Sequence, residues 1–218
     1  MYVSASSASG VALADTVSMR EYDEIAGWYA RVRDANVGAV DVLSFARRLP
    51  PEARVLDLGC GDGVPVSQLL LREGFEVIGL DSSAEMIARF RARFPDVTVR
   101  RERAQEATFA AGAFNGVVAW GMLFHLSPED QRATIEKVSG WLASGGRFLF
   151  TSGGEAGEIE GEMDGVRFRY ISLGVDGYRE ALERTGMHLE REYRDAWDNH
   201  VYLAVKPLAP EASGAQGA

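Results

Sequence analysis

The residues best suited to chemistry lie in one short stretch, Asp57-Leu58-Gly59-Cys60-Gly61-Asp62-Gly63, and at Asp81, 18 residues beyond Gly63. Glycines at 59, 61 and 63 let the main chain approach a ligand with no side chain intervening. A turn that grips a pyrophosphate aims amide groups at the anion and spaces its glycines Gly-x-Gly-x-x-Gly. Here the spacing is Gly-x-Gly-x-Gly, and Asp57 stands two residues before the first glycine. A carboxylate there repels phosphate and welcomes a cation. Asp81 closes the next apolar run, where a carboxylate can accept both hydroxyls of a ribose. Taken alone, Asp81 reads equally as a helix cap. The combination points to a nucleoside that carries positive charge.

The three histidines differ in promise. His125, in Gly121-Met122-Leu123-Phe124-His125-Leu126, follows the fourth strand and falls near the ligand edge. It reads either as a packed histidine at the start of a helix or as an acceptor contact or base. His200 opens the last strand. If that strand runs antiparallel, His200 is expected at the end opposite the ligand edge, unless the preceding loop folds over. His188 sits in an alternating strand and reads as exposed. His and Cys are too few and too dispersed for a zinc site, so no metal is expected.

These residues need a frame. Helical spacing covers Arg20 to Val32 and Asn36 to Arg48, and Pro50-Pro51 breaks the chain. Strands follow at Arg54–Leu58, Glu76–Leu80, Val97–Arg101, Phe114–Trp120 and Arg147–Thr151. Between them lie helices over Val66–Glu73, from the capping candidate Ser82-Ser83-Ala84-Glu85 to Phe94, and over Pro128–Leu142. A last helix, Gly177–Gly186, precedes a closing antiparallel pair, Met187–Arg194 and His200–Lys206. Alternating strands and helices predict an α/β fold: a doubly wound, mainly parallel, seven-stranded sheet with an antiparallel last strand. The Gly- and Glu-rich stretch after the fifth strand is too long for a tight connection. Over about 152–175 it reads as an acceptor cap, with a short hairpin at Met163–Ser172 and with Phe168, Tyr170 and Trp120 as walls; its glutamates read equally as solubilising charge. Residues 1–18 and 207–218 read as a flexible arm and tail around one domain, 19–206.

Charge and composition narrow the partners. The net charge of −9 disfavours nucleic acid, which calls for a cationic face. The basic group Arg89, Arg91, Arg93, Arg100, Arg101 and Arg103 reads as a solvated helix and strand. With Cys60 as the one cysteine, no intrachain disulfide forms, and a reducing, cytoplasmic setting is expected. No apolar run approaches the roughly 20 residues that span a bilayer, and the chain is expected to be a monomer or homodimer.

The segments V-L-D-L-G-C-G-D-G and V-I-G-L-D-S-S-A-E-M-I resemble the first two motifs of class I S-adenosylmethionine-dependent methyltransferases. The likeness runs from about Tyr22 to Lys206, through F-N-G-V-V-A-W-G-M-L-F-H-L and L-A-S-G-G-R-F-L-F. It implies a Rossmann-like fold, S-adenosylmethionine as methyl donor and S-adenosylhomocysteine as product. It also implies methyl transfer to an O or N atom of a small molecule. The alternatives are a protein or RNA methyltransferase, or an inactive S-adenosylmethionine-binding protein. On the matching positions, the main chain of Gly59-Cys60-Gly61 with Gly63 and Asp57 frames the methionine part, Asp81 binds the ribose, and Ser82 and Met86 flank the adenine. The family often has an acid where Arg103 stands, so adenine is expected to be read at Ala104 or Gln105. Asn115 replaces another frequent acid and reads as structural. The segment Glu21–Tyr29 resembles the helix that such enzymes lay over the donor, giving a helical lid at 19–49. Tyr22, Trp28 and Tyr29 are its candidate contacts to donor or acceptor, and core packing is the competing reading. Arg33 reads as a surface residue or as a partner of the methionine carboxylate. Among the histidines and phenols, His125, Tyr29 and His200 are the candidates for catalysis, and Trp120 for the donor's wall.

Overall fold

Short runs of aliphatic residues that are buried along nearly their whole length can only be central strands, since a half-exposed strand would alternate. Three such runs set the frame: β1 (Arg54–Leu58), β2 (Glu76–Asp81) and β4 (Phe114–Ala119). In the computed structural model, which describes residues 17–209 and only the backbone at 17–20, the other strands of the main sheet are β3 (Thr98–Arg101), β5 (Leu142–Ser152), β8 (His188–Arg194) and β9 (His200–Val205). The expected arm up to residue 16 and the tail beyond 209 lie outside the described residues.

The sheet has the order β3-β2-β1-β4-β5-β9-β8. Strands β1 to β5 are parallel, and β9 runs antiparallel to both β5 and β8, as the patterning predicts. Helices α2 (Ala39–Ala46) and α3 (Val66–Arg72) cover one face, where Val42, Phe45 and Leu70 pack on Val118 and Leu149. Helices α5 (Pro128–Trp141) and α6 (Gly174–Glu183) cover the other with Ile135, Val138, Tyr178 and Leu182. Helix α4 (Ala84–Arg93) packs Ile87 and Phe90 beside the glycine turn. The strand order reverses between β1 and β4, and a doubly wound sheet opens a crevice there, at the carboxyl ends of its strands. Helix α1 (Val17–Val32) lies across that crevice. No helix among the described residues is long and apolar enough to cross a membrane.

Several boundaries differ from the expected ones. Helix α6 begins at Gly174, three residues early. Strand β5 begins at Leu142, before the diglycine, and its pairing with β4 jumps from Phe114–Leu142 to Gly116–Arg147; Gly145, at φ 76°, lies in that irregularity. The hairpin starts seven residues earlier than expected: β6 (Ala156–Met163) pairs along its whole length with β7 (Val166–Leu173) in a sheet of its own. Its two-residue turn, Asp164-Gly165, has both φ angles positive (49° and 78°), the geometry that suits the twist of a tight hairpin.

Gly116 leaves room on the sheet for the Phe45 ring of α2. A Cβ there would stand 2.7 Å from the tip of the buried Phe45 ring and 3.0 Å from Leu49. Gly116→Ala is therefore expected to cost about 1–3 kcal/mol by overpacking. It should appear as a lower urea midpoint at unchanged slope; an unchanged midpoint would contradict this packing.

Candidate functional site

The cleft at the carboxyl end of the sheet encloses a cavity of about 270 Å³. Its floor is the turn after β1. Gly59 (φ 78°) and Gly61 (φ 54°) present bare main chain; a Cβ at Gly59 would lie 2.6 Å from Met122, whereas one at Gly61 would make only an ordinary contact, 4.0 Å from the Met86 sulfur. The Asp81 carboxylate organises this floor. One oxygen accepts the Gly61 N–H at 2.9 Å and the other the Ser83 N–H at 2.8 Å. Each oxygen keeps a lone pair for a further donor. Burial raises its pKa. Ser83 caps α4 by accepting the Met86 N–H at 3.1 Å, and its hydroxyl donates to Asp23 of α1. Asp23 also accepts the Glu85 N–H at 3.2 Å, so the lid helix is fastened to the start of α4. Ser82, Met86, Ala104 and Gln105 line the same end, and Gln105 donates to Asp130 at 3.2 Å.

At the other end, rings close the cleft. The Tyr22 hydroxyl and His125 Nε2 are 3.0 Å apart. A ring N–H of His125 donates to the Arg169 carbonyl of β7, which leaves Nε2 to accept the Tyr22 proton. Burial pushes the imidazole down to about 4, so it is neutral at ordinary pH. The same burial, reinforced by Tyr29 and Tyr170, pushes the Tyr22 phenol well up. Ring centres of Tyr22 stand 5.6 Å from Tyr29, 5.3 Å from His125 and 5.1 Å from Phe168. Lid, post-β4 turn and hairpin therefore meet at one aromatic junction.

A buried polar chain holds that junction in place. The Gln131 amide of α5 donates to the carbonyls of Leu126 and Ile171, both at 2.9 Å, and both residues line the cleft. The Tyr178 hydroxyl donates to the Gln131 amide oxygen and bonds Ser152. One side chain thus ties the segment after β4 to the hairpin, with every group of the chain satisfied.

The predicted residues divide cleanly. Tyr22, Tyr29, Gly59, Gly61, Asp81, Ser82, Met86, Ala104, Gln105, Trp120 and His125 line the cleft, as does Arg33. Asp57 does not reach it: the carboxylate is buried and accepts the Ser67 hydroxyl at 2.6 Å. Cys60 turns into the core beside Ile87 and Phe90. Gly63 serves packing, since a Cβ there would lie 2.5 Å from Phe94. Trp28 is half-buried beside the cleft without lining it, and Phe168 and Tyr170 back the aromatic wall from behind. His200 requires a correction of edge. It pairs in register with Ser152, at the carboxyl end of β5, because an antiparallel strand begins where its parallel neighbours end. Its ring bonds Glu192 and stays out of the cleft. Asn115 is structural, accepting the Arg54 N–H at 3.0 Å. Patterning assigned no role to Asp23, Glu102, Met122 or Gln131, although Asp23 and Met122 stand inside segments noted for the site.

A family model described as a methyltransferase domain matches residues 55–146, the span that builds the floor and the parallel strands. The matched span has the pattern of a methyltransferase domain, in keeping with the likeness of its motifs to the class I S-adenosylmethionine-dependent family. It is 33% identical over 104 residues to a ubiquinone biosynthesis O-methyltransferase of Cronobacter sakazakii, covering 45% of this chain and 42% of that one. It likewise spans less than half the length of several other curated methyltransferases that it matches. Two solved structures share its fold. The CcbJ methyltransferase of Streptomyces caelestis has a TM-score of 0.72 at 18% identity, covering 87% of this chain and 98% of that chain. The Burkholderia thailandensis 1,6-didemethyltoxoflavin-N1-methyltransferase has 0.66 at 19%, covering 95% and 98%.

The cleft fits S-adenosylmethionine. The main chain at Gly61 is bare, with the Met86 sulfur at 4.0 Å from where a Cβ would stand, and the Asp81 oxygens hold spare lone pairs for two hydroxyls. Replacing Asp81 by Asn removes the charge and one acceptor. The change is expected to weaken S-adenosylhomocysteine binding about 10–100-fold by calorimetry, the loss of one or two charged hydrogen bonds; unchanged affinity would remove Asp81 from the donor site. Asp57 gives a separate test. Burial pushes its carboxyl up to about 7 against the lowering influence of Ser67 and Arg33. A raised folded-state pKa means that the folded protein holds this proton to higher pH than the unfolded chain does. Its contribution to stability is therefore full below about 4 and lost as pH rises to about 7. Denaturation of wild type and Asp57→Asn should differ by a gap that changes across this window and is flat above it.

Proposed function

We propose that this protein transfers the methyl group of S-adenosylmethionine to an O or N atom of a small molecule, by in-line displacement at the sulfonium methyl. The observation that carries this reading is the enclosure of the acceptor side, where Tyr22 of the lid bonds His125 and packs on Phe168 of the hairpin. Such a boundary suits a small acceptor and excludes water. A protein or RNA acceptor needs a flat, open face, and the net charge of −9 further disfavours RNA. Similar proteins named for an O-methylation in ubiquinone biosynthesis and for N1-methylation of 1,6-didemethyltoxoflavin support the same acceptor class. The buried lone thiol fits a reducing, cytoplasmic setting.

The donor supplies a methyl on a leaving group that needs no activation, so the chain's task is alignment and exclusion of water. Asp81 holds the ribose hydroxyls, and the main chain at Gly59 and Gly61 receives the methionine part, with Arg33 for its carboxylate. Ser82 and Met86 flank the adenine, whose edge meets the main chain at Ala104 and Gln105. Tyr29 and Tyr22 border the methyl and the acceptor. His125 acts as a positioning residue: a neutral ring, pinned by the Arg169 carbonyl, that aims the Tyr22 hydroxyl.

Methyl transfer from labelled S-adenosylmethionine across a panel of small alcohols, phenols and amines tests the reading. Binding of S-adenosylhomocysteine without turnover of any acceptor would sink it. Because His125 stays neutral down to about 4, the rate should show no imidazole inflection near the ordinary value of about 6.5. Tyr22→Phe should lower kcat and leave donor affinity within about threefold, since one hydroxyl is removed and the ring kept.

A further inference from the structure

On the reading above the hairpin roofs the acceptor side, yet its strands pair with none of the main sheet. Side chains hold it there. Its foot is fastened at Gly153, whose carbonyl accepts the hydroxyls of Ser172 and Tyr202, both at 2.8 Å. Farther along, β7 brings Arg169 and Ile171 to the cleft. The carbonyls of these same two residues accept the His125 ring N–H and the Gln131 amide. Carbonyls two residues apart leave a strand on the same side, so both donors meet β7 from one side. Gln131 is 0% exposed, and its bonding is complete in one orientation only. A primary amide offers two N–H donors and one carbonyl oxygen. The carbonyls of Leu126 and Ile171 take both donors, and the oxygen accepts the Tyr178 hydroxyl. Tyr178 spends its one proton there, so Ser152 is the donor in the bond between them. The chain of bonds therefore runs one way, from Ser152 at the end of β5 to Ile171 in β7. Turning the amide over would set its oxygen against two carbonyl oxygens.

We propose that Gln131 is a positioning residue for the methyl acceptor: it fixes β7 over the cleft, and with it the wall that Arg169, Ile171 and Phe168 build there. This rests on the methyl-transfer reading above and deepens it, since it assigns the acceptor side a determinant that touches neither substrate. The donor floor takes its order from Asp81, the glycine turn and Ser83, and Gln131 bonds none of these. Loss of the amide therefore loosens the acceptor wall and spares the donor site. The hairpin itself persists without the amide, because its two strands pair along their whole length and its foot is held at Gly153. Gln131 thus governs where the roof sits, not whether it forms.

The test uses the full chain and two variants. Gln131→Met keeps the length of the side chain and lacks both donors. Tyr178→Phe keeps both donors and frees only the amide oxygen. With S-adenosylhomocysteine bound, amide hydrogen exchange in β7 should quicken about tenfold or more in Gln131→Met, while β1, β2 and α4 keep the wild-type rates. Affinity for S-adenosylhomocysteine should stay within about threefold. With the alcohol, phenol or amine of the panel above that wild type turns over best, the acceptor KM should rise about tenfold, the effect of one or two lost hydrogen bonds. The KM for S-adenosylmethionine should stay within about threefold, a split that general loss of structure would not give. Tyr178→Phe should move the same quantities the same way by a smaller factor. Unchanged exchange in β7 overturns the proposal, and so does a joint rise of both KM values. If Gln131→Met fails to bind S-adenosylhomocysteine it has lost the fold, and the same split in Tyr178→Phe then decides. A wild type that binds S-adenosylhomocysteine and turns over no acceptor overturns the methyl-transfer reading and this inference with it, whereas turnover without the split overturns this inference alone.

Discussion

A single carboxylate at the end of β2 governs how the upper edge of the sheet is assembled. The turn after β1 carries three glycines at positive φ, a conformation costly in entropy and without side chains to lock it. Asp81 supplies the lock from the neighbouring strand by accepting the Gly61 N–H, while its second oxygen fixes Ser83. Ser83 then starts α4 and bonds Asp23, so the lid takes its position from the same point. Two loops and a helix are indexed to one acid whose remaining lone pairs face the cleft. On the proposed donor role of Asp81, recognition and local folding draw on the same few atoms.

The site is polar in geometry and poor in net charge. Burial holds His125 uncharged and raises Tyr22, Asp57 and Asp81. In such low-dielectric surroundings an added cation gains more from each carboxylate than it would in water. Asp81 faces the cleft, whereas Asp57 lies buried behind the turn.

The sequence made the frame and the floor readable because both are local demands. Glycines are needed where main chain must be bare, an acid where a strand ends beside a ribose, and aliphatic runs where strands are buried on both faces. What it hid is direction. Consecutive residues in a tight turn point opposite ways, so Cys60 and Gly63 fell on the core side although their neighbours line the cleft. The edge reached by His200 was misjudged because an antiparallel strand starts at the carboxyl side of its parallel neighbour. The first arm of the hairpin, Ala156–Met163, is mostly exposed and rich in glutamate, and so lacks the apolar alternation that marks a strand, though Asp164-Gly165 carries a turn signature. The chain from Ser152 through Tyr178 to Gln131 joins residues far apart in sequence and leaves no local trace.

The strands of the hairpin pair only with each other, leaving β5 at one end and entering α6 at the other. Its register is independent of β5 and β9, so insertions or deletions near Asp164-Gly165 need not propagate into the strands that build the donor floor. Evolution can thus remodel the roof over the acceptor while the foundation stands. Within this architecture, new substrate preferences are most readily gained by lengthening, trimming or re-facing β6 and β7.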